Sequence, residues 1–115
     1  MGKFVIREKS YSFAIRVVKL NQYLCDTRKE FILSKQLLRS GTAIGALVRE
    51  AEFGRSRADF RNKMSIALKE ANETVYWLNL LKDTDYINEG MFESMSEDCL
   101  ELVKMLVATV KTTSS

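Results

Sequence analysis

Apolar residues recur three and four positions apart in four separate stretches of the chain, which is the spacing of one face of an α-helix. The pattern predicts helices over about residues 8–26, 30–53, 57–83 and 89–111. The connecting segments are short, and short connections make successive helices antiparallel neighbours. The sequence therefore predicts an all-α protein: one domain over residues 1–115, built as an up-down-up-down four-helix bundle.

The prediction rests mainly on the second and third helices, where a row of residues at helical spacing, here called the seam, is expected to face the core. The third is the most regular, with Phe60, Met64, Ala67, Ala71, Thr74, Leu78 and Leu81. The second is predicted to contain Leu33, Leu37, Ser40, Ile44, Leu47 and Ala51. Local signals mark some of the ends: Ser56 and Asp59 have the spacing of a capping box, and Asn88 suits the start of the fourth helix.

Two glycines, Gly41 and Gly45, lie inside the second predicted helix. Each costs roughly 0.8–1 kcal/mol relative to alanine in a helix interior. We therefore expect them to allow the close approach of another helix, either within the bundle or across a subunit boundary. A phosphate-binding loop is the alternative, but no strand precedes the pair and no Gly-Lys-Ser/Thr follows it.

Two helices carry more apolar surface than one core-facing stripe requires. On the third helix the surplus includes Tyr76, Trp77 and Leu80, and on the first it includes Tyr11 and Ile15. Large apolar patches are rarely left exposed on a monomer, so this surplus favours a homo-oligomer. Wide stripes inside a thick monomer core are the alternative.

The composition removes several kinds of chemistry. The 115 residues include no histidine and only two cysteines, Cys25 and Cys99, which form no CxxC pair. A standard zinc site cannot be built from this set, and nothing supplies a nucleophile–base pair. The carboxylates Glu70, Glu73 and Glu101 lack the histidines of a ferritin-like metal site. We expect no cofactor, no metal and no enzymatic activity, and we expect both cysteines to be buried thiols.

No apolar run is long enough for a membrane span or a signal peptide, so the sequence predicts a cytoplasmic protein without membrane contact. Charge is unevenly distributed along it. Residues 1–57 carry 12 basic and 5 acidic side chains, a net +7, whereas residues 58–115 carry 6 and 10, a net −4. Such asymmetry indicates an anionic partner for the basic half, or two halves that attract each other.

Five basic residues surround the turn between the second and third helices, and they are the candidate nucleic-acid-binding residues: Arg49, Arg55, Arg57, Arg61 and Lys63. The alternative is a solvated turn with local pairs to Glu50, Glu52 and Asp59. A single-strand stacking platform also needs aromatic residues. The pattern places Phe53 and Phe60 in the core, so any binding is predicted to follow charge and shape.

Two motifs resemble those of a known family. The first is residues 34–46, SKQLLRSGTAIGA, followed by Glu50 and Ala51. The second runs from Ser56 through residues 65–71, SIALKEA, to Trp77 and Leu78. Together they are similar to the signatures of the four-helix-bundle family named for the 23S rRNA intervening sequence. Leu47 departs from the pattern, which usually has a polar residue there.

The resemblance implies a four-helix bundle that assembles into a ring, typically a homopentamer, encoded in an insertion of bacterial ribosomal RNA genes or at a related locus. A distant branch serves as accessory subunit of diversity-generating reverse transcriptases and binds nucleic acid. No catalytic residues are known in the family. We therefore expect a binding or scaffold role linked to RNA or to a nucleic-acid-handling partner; an adaptor that contacts only protein is the alternative.

Overall fold

A computed structural model describes residues 2–113, with side chains from Val5 onward. It contains four α-helices: α1 (Gly2–Asp26), α2 (Leu33–Glu52), α3 (Arg57–Asp83) and α4 (Glu89–Thr113). They form an elongated bundle of 44 × 20 × 19 Å. Each helix packs along its neighbour in sequence, whereas α1 and α4 touch along fewer residues. The all-α four-helix fold is as the sequence predicted, and no described helix is long and apolar enough to cross a membrane.

α1 begins at Gly2, six residues before its predicted start at residue 8. The buried row of α1 extends the same spacing towards the N-terminus. It comprises Ile6, Ser10, Phe13, Val17, Leu20 and Leu24, and every member is at most 6% exposed. The helix is therefore anchored from its second turn onward by the burial of Ile6.

α2 begins at Leu33 and not at the predicted residue 30. Lys29, in the connection before the predicted start, has a left-handed backbone, with φ of 56°. The carboxylate of Glu30 accepts hydrogen bonds from the backbone N–H groups of Ile32, Leu33 and Ser34, at 3.2, 3.0 and 2.7 Å. Glu30 therefore caps the helix from outside it.

The seam of α2 also differs from the prediction. Leu33 and Leu47 are only half-buried, whereas Ser34, Gly41 and Val48 are buried. The inward face of α2 carries smaller side chains than the sequence predicted, because α1 lies close to this face. The seam of α3 is buried throughout, as predicted, except at the half-buried Phe60.

The glycines of α2 explain how close α1 comes. A Cβ atom added to Gly41 would lie 2.8 and 2.9 Å from the two methyl carbons of Val17. One added to Gly45 would lie 3.2 Å from the backbone oxygen of Ser10. Both glycines therefore face α1 within the bundle, which selects the first of the two packing alternatives for them.

The cysteines differ in their surroundings. Cys99 is buried, and its Sγ donates to the backbone oxygen of Ala71 at 3.4 Å. Burial, with a smaller effect from Asp98, raises the pKa of the Cys99 thiol to about 12. Cys25 is half-buried, with its Sγ 3.7 Å from the hydroxyl of Ser34. Both are free thiols, but only Cys99 is fully buried as predicted.

Candidate nucleic-acid interface

The turn between α2 and α3 is held by a dense set of hydrogen bonds. The Gly54 N–H donates to the Ala51 oxygen at 3.1 Å, and the Asp59 N–H donates to the Ser56 hydroxyl at 3.1 Å. The Asp59 carboxylate in turn accepts the Arg55 N–H at 3.3 Å. The Ser56 cap forms as the spacing predicted, whereas the Asp59 carboxylate accepts the N–H of Arg55 and not that of Ser56 as in a capping box. Together these bonds fix the backbone from which the basic side chains project.

The five predicted basic residues lie at one end of the bundle, which we call the basic end. Arg49 lines a shallow groove against α1 together with Arg7 and Tyr11. On the other side, Arg57 Nη2 donates to the backbone oxygen of Thr112 in α4, at 3.2 Å. The set therefore extends across the end of the bundle from α1 to α4 and is not confined to one helix face.

Each acidic residue of the basic end already has a partner. Glu50 pairs with Lys63 at 3.1 Å, and Glu52 pairs with Arg7 at 3.6 Å. The Asp59 carboxylate accepts the Arg55 N–H within the turn. Local pairing therefore accounts for Lys63, as the solvated-turn alternative expected, but it does not account for the arginines.

Three of the arginines have no ionic partner. Among the described residues, no carboxylate oxygen lies within 4.0 Å of the guanidinium nitrogens of Arg49, Arg55 or Arg61. All three side chains are exposed. They leave a net positive field at this end of the molecule, in water and accessible to a polyanion.

Phe53 is not in the core, contrary to the sequence prediction. It is 81% exposed, whereas Ala51, two residues earlier, is 2% exposed. The reason is that α2 ends at Glu52, so Phe53 leaves the helical register, with φ of −104° and ψ of 16°. Phe60 is half-buried and packs against the core, close to its predicted place. The basic end therefore does carry an exposed aromatic ring.

The carboxylates considered for a metal site are engaged elsewhere. Glu70 and Glu73 both pair with Arg39 of α2, and Glu101 pairs with Lys9 of α1 at 3.2 Å. The indole N–H of Trp77 donates to Glu73 at 3.0 Å, and this bond together with Arg39 lowers the pKa of the Glu73 carboxyl despite its partial desolvation. Within residues 2–113 no group of three or more metal-binding side chains converges.

The surplus apolar residues lie on two diagonally opposed helices. Tyr76 on α3 is 58% exposed, and its ring meets that of the half-buried Trp77 edge-on, with centroids 4.9 Å apart. Leu80 is half-buried beside them. On α1 we define the α1 stripe as Tyr11, Ile15 and Val18, which are 59%, 43% and 39% exposed. These residues line a groove of about 350 Å³ on the outer side of α1.

Comparison with known proteins identifies the family. The family model described as 23S rRNA-intervening sequence protein matches residues 2–108. The chain belongs to this family. A crystal structure of a protein from Bacteroides thetaiotaomicron, described as a protein of unknown function from the S23 ribosomal protein family, is 53% identical. It has a TM-score of 0.95 and covers 96% of this chain and 99% of its own. No curated protein matches the chain.

In this family member both signature motifs serve the packing of α2. In the first motif, Ser34 receives the Asn21 side-chain N–H on its backbone oxygen at 3.1 Å, and the two glycines face α1. Ser40 of the same motif accepts the buried hydroxyl of Thr74, from the second motif, at 2.9 Å. The residues that carry the resemblance are therefore structural. The candidate binding residues lie after the first motif and around the start of the second.

Proposed function

We propose that this family member is a non-catalytic, homo-oligomeric binding protein whose basic end holds the phosphate backbone of RNA. The observation that carries the proposal is the set of exposed guanidinium groups of Arg49, Arg55 and Arg61, which have no carboxylate oxygen within 4.0 Å among the described residues. Arginine forms charge-assisted, bidentate hydrogen bonds with phosphate oxygens. The name of the family, which refers to 23S rRNA, supports RNA as the polyanion.

The arrangement favours recognition by charge. The arginines project from a turn and from two helix ends, and none of these elements presents a row of side chains to a groove. Contacts to phosphates position a protein on nucleic acid without reading its sequence. We therefore expect little sequence preference and strong dependence on salt.

A homo-oligomer is the second part of the proposal, and a pentameric ring is the form that the family resemblance implies. Its support is the exposure of the α1 stripe and of Tyr76, since exposed apolar and aromatic clusters are typical of subunit interfaces. If the bundles stand parallel in the ring, their basic ends lie on one rim. Several weak phosphate contacts would then act together on one RNA strand.

The proposal includes a cytoplasmic location and a scaffold role without chemistry of its own. The chain has no histidine, and the thiol of Cys99 stays protonated at neutral pH because its pKa is raised to about 12. The proposal also includes a distant relation to the accessory subunits of diversity-generating reverse transcriptases, because those proteins combine a bundle with nucleic-acid binding.

Fluorescence polarisation with a labelled RNA tests the proposal. The wild-type protein should bind at low salt, and its affinity should fall steeply as salt is raised. Reversing Arg55, Arg57 and Arg61 to glutamate should abolish binding. The matched control reverses Lys35, Lys69 and Lys104, which are exposed elsewhere and whose reversal changes the charge equally. If both triple variants lose binding equally, net charge and not the basic end is responsible.

An adaptor that contacts only protein is the alternative, and the α1 stripe favours it because an apolar groove suits a partner helix. The two functions separate in the same assay. Absence of RNA binding at low salt, with loss of a protein partner on Ile15→Lys, would favour the adaptor.

A further inference from the structure

Phe53 is the most exposed large apolar side chain among the described residues. A Phe at such a position gains nothing from the hydrophobic effect in the isolated subunit. Its backbone is nevertheless well held: the Phe53 N–H donates to Glu50 at 3.2 Å, and the next N–H donates to Ala51 at 3.1 Å. The ring therefore projects into solvent from a fixed base.

The turn that carries Phe53 packs closely against the start of α3. A Cβ atom added to the next residue, Gly54, would lie 3.1 Å from the Ala51 oxygen and 3.3 Å from both Asp59 Cβ and Phe60 N. The backbone next to Phe53 is therefore held against α3.

The neighbours of the ring are basic. Arg49 lies one helical turn before Phe53, and Arg55 and Arg57 follow it by two and four residues. All three are exposed, and the nearby carboxylates are already engaged. A solvent-exposed aromatic ring within a group of cations is the composition of sites that bind single-stranded nucleic acid, where the cations hold phosphates and the ring stacks on a base.

We propose that Phe53 is a base-stacking residue and that the basic end selects single-stranded over double-stranded nucleic acid. The inference rests on the function proposed above and names its substrate class. A base in a duplex is stacked on its neighbours and paired, so its face is not accessible to Phe53. An unpaired base can swing out and cover the ring, while the flanking phosphates meet Arg55 and Arg57.

The test compares Phe53→Ala with Phe31→Ala. Phe31 is a matched control because it is also an exposed phenylalanine, 58% accessible, in the α1–α2 connection at the opposite end of the bundle. Affinities are measured for a ten-nucleotide oligouridine, the corresponding oligodeoxythymidine and a duplex RNA of equal length. Stacking on one base is worth about 1–3 kcal/mol, so Phe53→Ala should weaken single-strand binding by roughly 5- to 150-fold.

Four further results are expected. Phe53→Ala should leave duplex binding and the slope of affinity against salt unchanged, because no phosphate contact is removed. Its melting temperature should not fall, since the ring is exposed. Phe31→Ala should bind like wild type. Phe53→Trp should bind the single strand like wild type. The oligonucleotide should quench the fluorescence of the new tryptophan, whereas the wild type, whose single tryptophan is Trp77, should show no such quenching.

Two failures are distinguishable. If Phe53→Ala binds the single strand as tightly as wild type while the triple arginine reversal abolishes binding, the stacking inference is overturned and the proposed function stands. If the wild type binds none of the three nucleic acids at low salt, the proposed function itself is wrong. Equal affinity for RNA and DNA strands supports stacking and phosphate contacts alone, and a preference for RNA adds a contact to the 2′-hydroxyl group.

Discussion

At the scale of single residues, the contact between Gly41 and Val17 limits how closely α1 and α2 approach. Val17 is fully buried and branched at Cβ, so its two methyl groups cannot both turn away from a new atom. A Cβ at position 41 would meet both of them at less than 3.0 Å. The gain in helix propensity on replacing glycine by alanine, about 1 kcal/mol, is therefore opposed by overpacking of about 1–3 kcal/mol.

We expect Gly41→Ala to lower the free energy of unfolding by up to roughly 2 kcal/mol, the overpacking cost less the gain in propensity. Val17→Ala should also destabilise, because it opens a cavity. In the double variant the new methyl group occupies that cavity, so the two effects should fall short of additivity by about 1 kcal/mol or more. Urea unfolding at one fixed protein concentration measures all three variants.

Gly90 provides the control for this cycle. It lies in the first turn of α4, is exposed, and a Cβ there would have only an ordinary contact, 3.5 Å from the side-chain oxygen of Asn88. Gly90→Ala should be neutral or stabilising by up to about 1 kcal/mol. If Gly41→Ala stabilises to the same extent, α1 does not pack as closely as the structure shows.

At the scale of helices, the start of α2 depends on a residue outside the helix. Burial alone would raise the pKa of the Glu30 carboxyl, but hydrogen bonds from the N–H groups of Leu33, Ser34 and Ile32 and from the Ser34 side chain outweigh it, so the pKa is lowered. A carboxyl group whose pKa is lower in the folded state stabilises the fold above its unfolded pKa. That stabilisation is lost as the pH falls through the folded pKa.

Glu30→Gln should therefore lower the free energy of unfolding by about 1 kcal/mol at pH 7, the usual value of a helix cap. The deficit should begin to shrink below about pH 4.5, the unfolded value, and should be lost once the pH falls below the lowered pKa of the folded carboxyl. Chemical unfolding at a series of pH values gives the difference between the two proteins. Taking this difference cancels the contribution of Glu73, whose pKa is also lowered, because Glu73 is present in both proteins.

Glu93→Gln, an exposed change on α4, should match the wild type at every pH in this series. A deficit of Glu30→Gln that stays constant down to pH 3 would show that the charge of Glu30 does not stabilise the start of α2.

The helices also show what a sequence can predict here. The start of α3 was predictable because Ser56 and Asp59 are neighbours in sequence and form its cap directly. The start of α2 was not, because Glu30 caps it from outside the helix, and apolar periodicity does not reveal such a cap. The predicted burial of Phe53 was wrong because the second helix was predicted to end at residue 53, one residue too late. Extending the helical periodicity over this apolar residue assigns its side chain to the core.

The candidate site was predictable only in part. The five basic residues could be named from their clustering around one turn, and they do lie at one end of the bundle. Their partners could not be named, because Glu52 is paired with Arg7 and Arg57 with Thr112, residues that are far away in sequence. The unpartnered arginines became visible only when the acidic residues were located in three dimensions.

At the scale of the whole molecule, the bundle has two unlike sides. α1 and α2 lie in the stretch with net charge +7, and nearly all of α3 and α4 lies in the stretch with net charge −4. The α1 stripe and Tyr76 sit on helices that are diagonal to each other and make no direct contact. An apolar patch on the basic side of one subunit can therefore meet a different patch on the acidic side of the next. Such head-to-tail contacts generate rings.

This geometry leads to a prediction about variants that each lack one patch. Ile15→Lys should disable the α1 stripe, and Tyr76→Lys should disable the aromatic pair, without unfolding, because both side chains are substantially exposed. Light scattering should give the wild type several times the 13.2 kDa of one chain, about five times if the ring is a pentamer, and each variant alone the mass of a monomer.

Mixing the two variants distinguishes a head-to-tail interface from a symmetric one. Each variant keeps the patch that the other has lost, so an equal mixture can form one intact interface and should give a 1:1 dimer that grows no further. Thr27→Lys, in the exposed α1–α2 connection, adds the same charge away from both patches and should assemble like wild type. In a symmetric interface a patch contacts the same patch on the second subunit. A variant whose substitution lies outside that interface would then assemble without the other variant. Full assembly by either variant alone, or a mixture that stays monomeric, would therefore exclude the pairing of these two faces.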